Sequence, residues 1–298
     1  MTVGVATAAA ASFEEHRRHL IGLAYRMLGS LAAAEDAVQE AYLRWHAADR
    51  APVANPRAFL STVVTRLCLD QLKSAQAQRE SYVGPWLPEP VVDDASLAAE
   101  TASEYAHDLS VALMLTLERL SPLERAAFLL HDVFDMGFAE IASALGRSEA
   151  ACRQLAARAR AHVHAARPRF TASADEGARL ADAFRAAAAS GDAAALAQLL
   201  AKDAVLYTDG GGKRPAALNP IHGADKIARL LEGLARKAAP AEEWRFRSAR
   251  INGAPGYILE EPDGATQTVA FDFQNGRITA VYVVRNPDKL RRVVVRSR

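Results

Sequence analysis

Arg153, Gln154, Arg158 and Arg160 crowd one short stretch of the chain. A guanidinium can donate two parallel hydrogen bonds to a guanine edge, an amide can pair with adenine, and either can hold a phosphate. That chemistry needs a rigid helix to carry it, and the flanking residues provide one. Ile141, Ala142 and Leu145 give a short preceding helix an apolar face. Gly146 can adopt the positive φ of a tight turn, Ser148 can cap the next helix, and Glu149 suits the positive end of its dipole. The pattern predicts a helix-turn-helix over 138–160 whose Ala-backed second helix fits a DNA major groove. A solvated helix on a bundle would present the same charges, so the segment alone leaves both readings open.

A second constellation is acidic. Asp36, Gln39, Glu40 and Leu43 fall at i, i+3, i+4 and i+7, one stripe of a helix, while Val38, Tyr42 and Trp45 fall on another that should pack inward. Candidates for acid–base work are Asp209, His222, Asp272 and Tyr282, but their spacing gives no dyad. Asp209 opens a glycine turn that its carboxylate can cap, with Lys213 able to pair with Asp209 or Glu89. Asp272 alternates outward between Phe271 and Phe273. No catalytic residue is assigned. Cys68 and Cys152 sit on apolar helical patterns without metal-ligand spacing, so two buried thiols, no metal and no cofactor are expected. His162 and His164 finish a helix instead of binding metal.

Net charge is +1, which favours no partner class, but its distribution is uneven. Residues 147–170 hold six arginines and one acid, whereas 79–108 hold seven acids and one arginine. A basic block beside an acidic one marks a functional pattern more than a uniform surface. No apolar run approaches a membrane span, and Thr2–Ala11 reads as an unstructured lead and not as a signal peptide, so a cytoplasmic protein without membrane contact is expected.

Helical periodicity covers 12–78, broken at Gly29-Ser30 and restarted by Pro56. Residues 79–105 read as an acidic, Pro-containing linker in which Trp86 is expected to dock on the C-terminal part. Helices are expected again from about Leu97 to Ala166, with a helix start at Ser121-Pro122, the second helical domain spanning 106–170. From 175 to 298 the pattern changes. Helices at Glu176–Ala189 and Asp192–Ala201 precede alternating strands at Val205–Thr208, Trp244–Ile251, Tyr257–Glu260, Gln267–Gln274 and Arg277–Val284. Asn275-Gly276 predicts a two-residue hairpin. The fold class is therefore multidomain: two all-α domains, then an α+β domain with a curved antiparallel sheet that commonly encloses a pocket.

Two segments carry a family resemblance. Ala24-Tyr-Arg-Met-Leu-Gly-Ser30 with Ala34-Glu-Asp-Ala-Val-Gln-Glu-Ala-Tyr-Leu-Arg-Trp45 resembles region 2 of extracytoplasmic-function RNA polymerase sigma factors. Leu120-Ser-Pro-Leu-Glu-Arg125 through Arg160 resembles region 4. Three further motifs are similar to the signature of a subgroup with a fused SnoaL-like, ketosteroid-isomerase-like domain. They are Trp86, Leu87, Pro88, Glu89 and Pro90; Asp209, Gly210, Gly211, Gly212 and Lys213; and Asn286, Pro287, Asp288, Lys289 and Leu290.

The resemblance implies that Asp36, Gln39, Glu40 and Leu43 meet the clamp helices of the polymerase largest subunit. It implies that region 4, beside the flap, reads the −35 element through Arg153, Gln154 and Arg158, with Arg160 on phosphate. It places 59–72 at the −10 element, where Arg66 stands in place of a frequent asparagine. Arg66 can stack on a flipped base, hold the single-strand backbone, or make a plain phosphate contact. It further implies regulation in cis through the three motifs, with the linker passing through the RNA channel and room for an unidentified small ligand in the C-terminal pocket. Two alternatives stay open: a stand-alone, ligand-sensing helix-turn-helix regulator, which would leave the acidic stripe without a partner, and a pocket enzyme with a DNA-binding arm.

Overall fold

The computed structural model describes residues 2–47, 53, 55–79, 82–93, 108–166, 174–238 and 243–293. The chain divides into two compact units. Residues 1–80, 95–109 and 113–167 form one; 81–94, 110–112 and 168–298 form the other. The segment read as a linker is thus split, and 81–94 belong to the C-terminal unit. The helix start expected near Leu97 lies outside the described residues.

The N-terminal unit is helical: α1 Thr2–Leu28, α2 Leu31–Ala47, α3 Pro56–Arg79, α4 Val111–Glu118, α5 Pro122–Phe128, a π-type turn at Leu129–Val133, α6 Phe138–Leu145 and α7 Glu149–Ala166. The expected unstructured lead is helix from Thr2. Its alanines favour that state, and extending an existing helix avoids the cost of nucleation. Gly29 (φ 69°) ends α1, and the Ser30 hydroxyl accepts the Ala33 N–H to open α2. Leu23 and Met27 of α1, Val38 and Trp45 of α2, and Leu60, Val64 and Cys68 of α3 are buried together as core. Tyr42 is half-buried, its ring edge-on to Phe13. Ser121 and Glu124 close a reciprocal capping box around Pro122 at the start of α5. Both cysteines are free and buried, and burial pushes the Cys68 thiol up.

The C-terminal unit begins with α8 Ala174–Ser190 and α9 Ala193–Leu199. β1 Leu200–Asp209, β2 Ile221–His222 and α10 Ala224–Ala235 follow, then β3 Arg245–Ile251, β4 Ala254–Glu260, β5 Thr266–Gln274, β6 Arg277–Val284 and a 3-10 turn at Pro287–Lys289. The strand order is β2-β1-β6-β5-β4-β3. All neighbours are antiparallel except β1 and β6, which run parallel because the helices and strands between them carry the chain back to the same end. Asn275 (φ 51°) and Gly276 (φ 70°) make the expected β5–β6 hairpin. The sheet packs α8 through Phe184, edge-on to Phe271 at 5.1 Å, with Phe273, Val281, Leu206 and Ile227 completing a filled core. β2 and α10 were not anticipated from the sequence. The register pairs Asp209 with Val284, which brings the end of β1 to the start of the Asn286–Leu290 motif.

Candidate functional site

The helix-turn-helix stands as its residues suggest. Gly146 (φ 62°) makes the turn and the Ser148 hydroxyl accepts the Ala151 N–H at 3.3 Å. Cys152, Ala156, Ala159 and Val163 face inward on α7, leaving Arg153, Gln154 and Arg158 exposed. The Arg153 guanidinium lies over the Phe138 ring and bonds Glu149 at 2.6 Å. Arg158 donates to Glu124 at 2.8 Å and the half-buried Arg160 to Asp132 at 2.7 Å. Bonds from Ser121 and Arg158 hold the Glu124 carboxyl below its ordinary range. The arginines are thus steered by neighbouring acids, and their ends remain accessible.

Arg66, also exposed, is aimed at protein. Its Nε donates to the Ala144 carbonyl at 2.9 Å and an Nη to the Ser143 carbonyl at 2.7 Å, at the C-terminus of α6. Arg125, at the end of the region 4 motif segment Leu120–Arg125, is buried. It donates to the carbonyls of Leu117 (2.8 Å) and Met27 (2.5 Å) and pairs with Glu118 at 2.7 Å. The capping box around it was legible; its long reach to α1 was not.

On α2, Asp36, Gln39 and Leu43 are exposed and Glu40 half-buried, bonded to Arg44 at 2.9 Å. Leu43 is 55% exposed, a large apolar side chain set among acids.

The three subgroup motifs converge on one buried carboxylate. Asp209, fully buried, accepts the Tyr82 hydroxyl (2.5 Å), the Leu87 N–H (2.9 Å), the Lys289 ammonium (2.7 Å) and the Gly211 N–H (3.1 Å). Lys289 also donates to the Leu87 carbonyl at 2.5 Å, and its charge lies against the Trp86 ring (4.4 Å) and the Tyr82 ring (4.9 Å). Asn286 donates to the Tyr82 hydroxyl and accepts the Asp288 N–H. Burial and the bond to Asp209 push the Tyr82 phenol up. Leu87, Pro88, Glu89, Pro90 and Leu290 are buried. The lysine on Asp209 is therefore Lys289, not Lys213. Lys213 pairs instead with Asp288 at 2.5 Å and, with Arg291, holds that carboxyl below its ordinary range. Gly210 and Gly211 let the motif close: a Cβ on Gly210 would lie 2.1 Å from the Arg214 carbonyl, and one on Gly211 (φ +58°) 2.2 Å from Asn286. Gly212 and Pro287 complete the two turns.

Further along, the Val91 N–H donates to Asn252 Oδ1, the Asn252 N–H to the Val91 carbonyl, and the Asp93 N–H to the Arg250 carbonyl. Asp93 also bonds Arg247 at 2.6 Å. Segment 82–93 thus runs from the end of β1 to the β3–β4 turn, strands four places apart in the sheet. Asn252 was overlooked, although Asn252-Gly253 is itself a turn signal.

The acid–base candidates do not assemble. Asp209 is occupied by its linker partners, and His222 is exposed on β2. Asp272 accepts the Tyr282 hydroxyl at 2.6 Å instead of facing solvent, and Tyr282 stacks on Tyr207. An open groove of about 350 Å³ lies between α8 and β3–β4, lined by Ala178, Ala181, Asp182, Arg250, Pro255 and Gly256. Among the described residues, no group of His, Cys, Asp and Glu could hold a metal ion, and no helix is long and apolar enough to cross a membrane.

Comparison with known proteins agrees with this layout. The Sigma-70 region 2 family matches residues 12–78 and the Sigma-70 region 4 family matches 110–163. The ECF RNA polymerase sigma factor SigJ of Mycobacterium tuberculosis is 43% identical over 93% of this chain and 91% of its own length. The probable ECF RNA polymerase sigma factor SigI of the same organism is 30% identical over 94% of each chain. The crystal structure of SigJ superposes with a TM-score of 0.76 at 39% identity, covering 95% of this chain and 98% of that one. Full-length identity at this level, and a helix-turn-helix and acidic stripe lying inside the two matched regions, leave one assignment: the chain belongs to the extracytoplasmic-function sigma factors, which bind core RNA polymerase and direct transcription initiation at promoters.

Proposed function

We propose that this sigma factor is regulated in cis, its C-terminal unit gripping segment 82–93 and so setting how readily regions 2 and 4 engage polymerase and promoter. The carrying observation is the Asp209 carboxylate, buried and shared among Tyr82, Leu87 and Lys289. A carboxylate taken out of water needs such partners, so a grip of this kind is held or lost as a unit.

In this reading Asp36, Gln39, Glu40 and Leu43 meet the clamp helices of the largest subunit, where charge complementarity sets orientation and on-rate. Region 4 lies beside the flap, with Arg153, Gln154 and Arg158 on the −35 bases and Arg160 on phosphate. The C-terminal unit acts without catalysis, and the protein works in the cytoplasm beside the polymerase. A small ligand in the groove between α8 and β3–β4 is not needed for the grip. The stand-alone regulator is disfavoured because the exposed acidic stripe with Leu43 would then have no partner.

The test is in vitro transcription with core RNA polymerase and the full chain, comparing wild type with Asp209→Asn and Lys289→Gln. Transcription should require the chain, and both variants should change transcript yield at nearly constant core affinity. Unchanged yield in both variants would end the cis-regulation reading. Promoter binding without any stimulation of core would revive the stand-alone regulator.

A further inference from the structure

Arg66 has two incompatible tasks. As a residue of α3 in region 2 it is available to promoter DNA, yet here it bonds the last carbonyls of α6, the first helix of the region 4 helix-turn-helix. Those carbonyls lie at the negative end of a helix dipole and lack partners within α6, so a guanidinium suits them as a phosphate would suit it. The bidentate reach uses the fork geometry that lysine lacks.

Two further side chains bridge the same pair of regions. Arg125 of region 4 donates to the Met27 carbonyl of region 2, and Arg26 of region 2 lies over the Phe134 ring. Both arginines are buried, whereas Arg66 is exposed at the rim of the seam. This closed arrangement cannot read a promoter. Elements at −10 and −35 lie about 25 base pairs apart, roughly 85 Å at 3.4 Å per step. Residues 2.7 Å apart cannot serve both ends of that span.

We infer that Arg66 is a latch. It closes region 2 on region 4 in the free protein, and promoter phosphate competes for the same guanidinium, so that DNA engagement and opening are coupled through one side chain. Its exposure lets a phosphate reach it before the buried arginines move. The inference rests on the two-region promoter reading above and adds which residue links closure to DNA.

The test uses the full-length chain with spin labels at Ala32→Cys on α2 and Ala157→Cys on α7, both exposed positions; Cys68 and Cys152 are buried and stay unlabelled. Pulsed dipolar spectroscopy then reads the distance between regions. Wild type should give one short, narrow distribution. Arg66→Ala and Arg66→Lys should both lower the closed-to-open ratio, by about three- to ten-fold for the loss of one or two hydrogen bonds. Arg66→Lys should keep promoter affinity with core polymerase, because a lysine still meets a phosphate, and Arg66→Ala should lose it. Unchanged distances in both variants overturn the latch, as does loss of cooperative melting in both, which would mark Arg66 as purely structural. Absence of core-dependent promoter binding in wild type would instead count against the promoter reading, and the distance measurement would still decide whether Arg66 closes the seam.

Discussion

Lys289 stands 2.7 Å from the Asp209 carboxylate and 2.5 Å from the Leu87 carbonyl, so one ammonium joins the end of β1 to the segment that crosses the sheet. Asp209 is fully buried and the Lys289 side chain is 13% exposed. Removing either partner alone leaves an uncompensated charge in a dry site. Asp209→Asn should lower unfolding free energy by about 3 kcal/mol, and Asp209→Asn with Lys289→Met should recover part of it. Denaturant melts of the wild type and these two variants measure this, and hydrogen exchange at the Leu87 amide reports whether the segment has left.

Gly211→Ala should act at the same place by sterics. Its φ is +58° and the new methyl would meet Asn286. A loss of about 1–2 kcal/mol is expected, since both the backbone conformation and the contact are penalised. Gly253→Ala is the control: its φ is also positive, but no atom lies within 4 Å of the added carbon. An equal loss at both positions would remove the Asn286 clash as the cause.

His19 predicts an acid-side weakness in the helical unit. An Nη of Arg57 donates to its Nδ1, so the ring N–H faces Ser61 and the ring is held neutral. Burial, then the Arg57 charge, lowers its pKa from 6.5 to about 3. The unfolded chain therefore takes up a proton that the folded one refuses. This stabilisation is complete above pH 6.5 and is lost as pH falls toward 3, at up to about 1.4 kcal/mol per pH unit. His19→Gln should flatten stability against pH between those limits.

Base reading is testable on α7. Arg158→Ala and Gln154→Ala should each cost about 1–3 kcal/mol of discrimination between cognate and altered −35 DNA. Arg160→Ala should weaken both DNAs alike and reduce the salt slope by about one. Binding titrations at two salt concentrations separate the two behaviours.

For the polymerase face, Leu43→Asp should reduce core affinity with little change in melting, because the side chain is already exposed. A large loss of stability would place Leu43 in the fold instead of the interface.

What could be read from sequence was local. The helix-turn-helix followed from Gly146, Ser148 and an apolar period, all within a few residues. The Asn275-Gly276 hairpin was equally self-contained. What could not be read depended on distant pairings. Lys213 lies four residues after Asp209 in sequence, but the parallel β1–β6 register delivers Lys289 instead. The bond from Arg66 to Ser143 joins residues whose patterns carry no mark of each other. α10 was not read from the sequence, although Ile227, Ala228 and Leu231 recur at helical spacing.

The segment from Tyr82 to Asp93 is fixed at both ends, by a charged cluster at Asp209 and by main-chain bonds at Arg250 and Asn252. Between these anchors Pro85, Pro88 and Pro90 keep it extended and stiff. A stiff strap without slack transmits displacement where a flexible cord would absorb it. Held at Tyr82, Leu87, Val91 and Asp93, the segment is a brace laid across the sheet and not a loose tether between domains.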